Sequence, residues 1–188
     1  MKKFLAVLLL SLVVSSSAWA GGIETTTLFD RKSNPDTSIL VGADAEQKAR
    51  YFPDGKMSGN VLAFLVKIKG REILFDAGRV QVFEPGDKVM PGVKALDTSG
   101  HTPGHVSFLL KSGKDKLLVI GDLIHFSRIQ LPLPEVAVKY DVDPAKAVQA
   151  RKRIFDYACE KRIPMAGMHV PFPGMLKLKK AGAGYEEY

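Results

Sequence analysis

Twice in this chain a strand-like apolar run meets a second one across a short glycine-containing turn, and only one stretch has helical periodicity. Residues 60–68 and 72–75 flank Lys69-Gly70, and residues 106–110 and 116–120 flank Ser112-Gly113-Lys114-Asp115. Both pairs predict antiparallel hairpins, because glycine accepts the positive φ that tight turns demand. Further short strands are expected at 38–41, 80–83, 93–96 and 164–170, with Pro85-Gly86 and Pro91-Gly92 as turns. The helix is expected over 143–161. Asp143 is a good N-cap, Pro144 suits the first helical position, and Pro164 stands just past the end. Ala147, Val148, Ile154, Phe155 and Ala158 share one face of it. Residues 21–47 are otherwise polar and poorly periodic.

The first twenty residues carry a different signal. Met1-Lys2-Lys3 is basic, residues 4–14 are apolar except Ser11, and Ala18 and Ala20 occupy the small-residue positions of a cleavage site. The pattern predicts a secretory signal peptide cut after Ala20, since the run falls short of the ~20 apolar residues that cross a bilayer. The mature chain is then expected to be secreted or periplasmic, with no stable membrane insertion. Loss of Lys2 and Lys3 lowers its formal charge from +7 to +5. The expected division is a signal peptide over 1–20, an extension with a first strand over 21–59, and one main domain over 60–188.

Several chemistries are excluded at this level. Lone Cys159 has no partner for an intramolecular disulfide and no CxxC spacing, and Ser99 is not in a GxSxG elbow. Basic clusters at Arg151-Lys152-Arg153, Lys161-Arg162 and Lys177, Lys179, Lys180 stand beside no aromatic RNA motif or helix-turn-helix pattern. They read as a solvated basic face, so no nucleic-acid partner is expected.

The histidines are lopsided: all four lie in the second half, in glycine- and proline-rich settings. The segments are Gly100-His101-Thr102-Pro103-Gly104-His105, Gly121-Asp122-Leu123-Ile124-His125, and Met168-His169-Val170-Pro171-Phe172-Pro173-Gly174. Imidazole and carboxylate at the ends of neighbouring strands can converge on one point, and that donor set suits a borderline metal such as zinc.

GHTPGH, then a hairpin and GD, then a helix and a strand ending in histidine, resembles the metallo-β-lactamase superfamily over about residues 60–184. NVLAFLV from Asn60, the LFDAG strand end, and the FEPGD and PGV segments belong to the resemblance, and HVPFPG narrows it to exported or lactonase-like hydrolases. The resemblance implies an α/β fold, the αβ/βα sandwich of that superfamily, truncated in its N-terminal half. It implies that His101 is the third histidine of a first metal site, and that Asp122 is the catalytic carboxylate bridging two metals. His169 corresponds to the terminal histidine of the second site. His105 and His125 match no ligand and are expected behind the ligands or in the pocket. Asp76 looks like a strand-end aspartate near the metals, with capping of the Gly78 turn as the alternative.

The chain also departs from that pattern. Metal-competent relatives carry HxHxDH between LFDAG and GHTPGH, whereas here no histidine precedes His101, and only 22 residues, Arg79 to Gly100, separate it from Gly78. The crossover helix and motif loop read as deleted. Ligand counting predicts at most one weakly held zinc, on His101, Asp122 and His169, against two in complete relatives. The implied function is hydrolysis of an ester, lactone or amide in a small molecule by metal-activated water, impaired by the lost motif. The alternative is a non-catalytic homologue or binding protein of the cell envelope. Lost elements also predict an exposed sheet edge, a route to a homodimer.

Overall fold

The computed structural model describes residues 14–19, 22–68, 70–75 and 88–188; Asp76, Gly78 and the strand expected at 80–83 lie outside them. In chain order come β1 (Val14–Trp19), β2 (Ile23–Ser33), β3 (Leu40–Val41), α1 (Ala45–Tyr51), β4 (Gly59–Ile68), β5 (Arg71–Phe75), β6 (Lys88–Met90) and β7 (Val93–Asp97). Then follow β8 (Val106–Ser112), β9 (Asp115–Gly121), α2 (Ser127–Gln130), β10 (Ala137–Val138), α3 (Pro144–Lys161), β11 (Met165–Gly167), β12 (Met175–Leu176), β13 (Leu178–Ala181) and β14 (Gly184–Glu187).

Both hairpins form where the turn residues put them, with Phe64 opposite Phe75 in β4–β5 and Phe108 opposite Val119 in β8–β9. One sheet has the order β1-β2-β4-β5 and a second β12-β11-β9-β8-β7-β6. Neighbours in both are antiparallel except β11, which runs parallel to β9. Strand side chains alternate between faces, so each sheet can offer an apolar face to the other. Ile23, Leu62, Phe64, Val66 and Ile68 of the first sheet meet Val93, Leu110, Leu117, Val119 and Ala166 of the second in one cluster. Each such side chain fully buried contributes roughly 1.5–3 kcal/mol. On the far face of the second sheet, Leu118 and Ile120 pack against Ile154, Phe155 and Ala158 of α3. The layers are therefore sheet, sheet and helix.

Helix α3 begins as expected: the Asp143 side chain accepts from the Lys146 N–H at 3.0 Å, and Pro144 follows it. Its buried face differs in detail. Val148 is half-buried, while Ala150 and Arg151 join the inward set. Arg151 corrects the reading of 151–153 as a solvated basic cluster, because it is 1% exposed, though Lys152 and Arg153 stay outside. Its Nε donates to the Leu123 carbonyl at 2.8 Å, and one terminal nitrogen donates to the carbonyls of Pro134 and Val136 at 2.9 and 2.7 Å. An irregular buried loop leaves carbonyls without ladder partners, and a guanidinium fork reaches several of them at once.

The segment 21–59 holds more structure than its polarity suggested. β2 lies between β1 and β4, with Ile23, Thr25 and Thr27 buried. Threonine counts as polar in a hydropathy pattern but is β-branched and favours strands, so it hid the alternation. Helix α1 was also unforeseen, although Asp44 and Gln47 form a full capping box at its start. β1 falls within the expected leader and pairs with β2, Trp19 opposite Ile23. Among the described residues no helix is long and apolar enough to cross a membrane.

Candidate metal centre

The loops after β7, β9 and β11 carry the histidines. Antiparallel pairing of β7 with β8 and of β8 with β9, and parallel pairing of β9 with β11, bring all three strand ends to one edge of the sheet.

The first loop is clamped onto the approach to α3. The His101 carbonyl accepts from the Val142 N–H at 3.1 Å and the Gly100 carbonyl from the Asp143 N–H at 2.8 Å. Gly100 has φ 143°, and a Cβ there would meet the Ala147 backbone nitrogen at 2.2 Å, so only glycine fits. This clamp brings Asp141 to His101, whose Nδ1 donates to Asp141 Oδ1 at 2.9 Å. The other Asp141 oxygen accepts from the Val138 N–H at 3.0 Å. A buried carboxylate behind an imidazole fixes the ring's orientation and leaves Nε2 for another partner. Nothing local in the sequence marked Asp141, which lies two positions from the conspicuous cap Asp143 and forty from its partner.

His101 Nε2 stands 3.5 Å from Asp122 Oδ2, and His169 Nε2 stands 3.3 Å from Asp122 Oδ1. Each carboxylate oxygen thus faces a different imidazole. His169 Nδ1 donates to the Asn60 carbonyl of β4 at 2.8 Å, and the neighbouring Met168 carbonyl accepts from the Leu62 N–H at 2.8 Å. The first sheet therefore aims the second sheet's last histidine.

His105 turns away from this point. Its Nδ1 contacts the Thr98 hydroxyl at 2.8 Å and carbonyl at 3.1 Å, and its Nε2 accepts from the Asp122 N–H at 3.0 Å. Both ring nitrogens are thus engaged, Nδ1 with Thr98 and Nε2 with the Asp122 backbone. The turn that allows this needs Gly121, at φ 56°, where a Cβ would stand 2.8 Å from His105 Nε2. His125 lies with the cluster: its ring stacks on His169 at 4.7 Å between centroids, with 4.8 Å to His101 and 4.9 Å to Tyr140. Gln130 fixes its backbone, Oε1 accepting from the His125 and Phe126 N–H groups at 2.8 and 2.9 Å. One ligand atom each from His101, Asp122 and His125 lie within 4.8 Å of one another. The sequence-expected set paired His101 and Asp122 with His169 instead.

Electrostatics follow the contacts. Asp122, then Asp141, hold the His101 imidazole protonated up to about 9. Burial alone would raise the Asp122 carboxyl, but His101 and His169 outweigh it and hold the group far below the usual carboxylate range. Burial, and next His169, push His125 down to about 3, and burial lowers His105 as well, so both stay neutral. Burial first, then Asp141 and Asp122, raise the Tyr140 phenol to about 12. A carboxylate ringed by imidazole nitrogens calls for positive charge between them, and a divalent ion fits that requirement.

This layering and strand-end site have close structural parallels. The structure is similar to AidC, a dizinc quorum-quenching lactonase solved in complex with a product, with a TM-score of 0.81 and 15% identity over 94% of this chain and 97% of that one. The chain has the metallo-β-lactamase fold. A hydrolase of the β-lactamase superfamily, AbOPH, matches with a TM-score of 0.75 and 19% identity over 93% of this chain and 96% of that one. A quorum-quenching N-acyl homoserine lactone lactonase matches with a TM-score of 0.58 and 14% identity over 84% of this chain and 99% of that one. No protein-family model and no curated protein sequence matches the chain. Likeness at these identities establishes architecture; chemistry is argued from the site.

Proposed function

We propose that the chain is a metal-dependent hydrolase that opens an ester, lactone or amide bond of a small molecule, working slowly with one zinc. The observation that carries this reading is the convergence of His101, His125, His169 and Asp122 at one sheet edge. A bound zinc supplies polarisation of the scissile carbonyl and a lowered pKa for water at the site. The chain's own groups do the rest. Asp122 stays ionised and presents one oxygen to each of two imidazoles. Asp141 and the Asn60 carbonyl hold the His101 and His169 rings through Nδ1. Half-exposed Tyr140 keeps its proton at neutral pH and stands beside His101 and His125, placed to donate a hydrogen bond to a substrate oxygen. The lactonases among the similar structures make lactones the first class to assay.

Zinc-supplemented protein is expected to hydrolyse lactone or aryl ester substrates below the ~1–10³ s⁻¹ common for enzymes. A chelator should abolish the activity, and so should Asp122→Ala. Hydrolysis indifferent to both would place catalysis elsewhere.

We also propose export with cleavage after Ala20, supported by the basic start, apolar core and Ala18-Trp19-Ala20 site. Intact mass of the mature protein should give Gly21 as its first residue, and retention of residues 4–14 would overturn the proposal. Cleavage there removes β1 and leaves eleven-residue β2 as a sheet edge that a second copy can pair with.

A further inference from the structure

We infer that His125 is a metal ligand, and that this chain holds its ion between His101, Asp122 and His125 with His169 outside the ligand set. The inference rests on the reading of the cluster as a metal centre and goes beyond it in naming the third ligand. Among the described residues, His101, Asp122 and His125 form the one compact set with metal-ligand reach, and His169 does not join it. His169 instead addresses the carboxylate oxygen opposite the one that faces His101.

A second observation points to the same residue. His125 is 5% exposed, and its Nδ1 is buried with no hydrogen-bond partner. A buried polar atom left unpaired is costly, and native structures retain few of them. The Gln130 amide pins the backbone at His125 and Phe126, and its own nitrogen donates to the Val136 carbonyl at 2.9 Å. His169 and Tyr140 hold the ring between them. His105 is no competitor, since the Asp122 N–H and Thr98 occupy both of its nitrogens. A buried imidazole with an unpartnered nitrogen and ligand reach to an anionic carboxylate is suited to hold a cation. Two imidazoles and one carboxylate, with a fourth place open to solvent or substrate, make up a three-ligand site of catalytic type. In a chain without HxHxDH, His125 fills the deficit from within the GDLIH loop itself.

The test is zinc titration of the full chain against a competing chromogenic chelator, joined to nitrogen NMR of the imidazoles in wild-type protein. Wild type should take up one zinc, and the ring nitrogens of His101 and His125 should shift on its addition. His125→Ala should weaken zinc by more than about 100-fold, beyond what loss of an outer partner costs, whereas His169→Ala should cost about tenfold or less. Bound zinc with unmoved His125 nitrogens, or zinc affinity unchanged in folded His125→Ala, overturns the assignment of His125 alone. Failure of wild type to bind zinc overturns the metal-centre reading, and this inference with it. Should His125→Ala not fold, the wild-type spectra decide.

Discussion

Replacing Arg151 by alanine is expected to lower stability by about 2–4 kcal/mol and to loosen the His/Asp cluster together with the fold. The guanidinium satisfies buried carbonyls of Leu123, Pro134 and Val136, and among the described residues only Val136 of these has a second donor, the Gln130 amide. Alanine leaves the other two without partners and opens a cavity under α3. Burial of the charge has its own cost, which pulls the guanidinium pKa down to about 10, and losing that charge returns part of the deficit. The orphaned carbonyls and the cavity still dominate. Leu123 lies between Asp122 and His125, so its release should also be felt at the cluster. Urea midpoints and zinc affinity measured on the same protein check both halves. Arg151→Lys, with one compact head in place of a fork, should fall between wild type and alanine. An unchanged midpoint in Arg151→Ala would show that the three carbonyls find water or other donors.

Inserting the helix and HxHxDH loop of a full-length relative between Gly78 and Val80 is expected to raise zinc content to two and turnover on the order of a thousandfold. The surviving half of the site is well formed. Asp122 already offers one oxygen to His101 and the other to His169, and each of those rings is fixed from behind by Asp141 or Asn60. On the proposed reading, what an insertion would add is charge at the place where charge develops in hydrolysis. A second ion would stabilise both hydroxide and oxyanion, terms worth several kcal/mol. Turnover regained by insertion should vanish again with Asp122→Ala. If the unmodified chain already turns over lactones at ordinary enzyme rates and loses this on metal removal, the missing segment is not disabling.

The elements legible in the sequence are those whose deciding bonds are short-range. Asp143 caps α3 through the N–H three residues on, and the turns at Gly70 and Gly113 close β4–β5 and β8–β9. The same holds for the candidate donors: a histidine or aspartate in a glycine-rich segment after a strand is visible as such, and His101, Asp122 and His169 do meet. Where polarity misled, the cause was side chains whose class depends on what surrounds them. Thr25 and Thr27 are buried strand residues in β2, and Arg151 is a core residue serving backbone carbonyls.

The sequence by itself determined the strand and turn punctuation, the one long helix, and the inventory of imidazoles and carboxylates near strand ends. Only the tertiary structure decided what each of them does, because a donor's role is set by the partner opposite it, and those partners are distant in the chain. Asp141 reaches His101 across 40 positions and Asn60 reaches His169 across 109, while His105 is consumed by the Asp122 backbone 17 residues on. His125 carries the same residue type as its neighbours and no distinguishing motif. Packing alone gave it a buried ring with an unpartnered nitrogen and ligand reach to Asp122, in a loop whose backbone the Gln130 amide and the Arg151 fork hold in place.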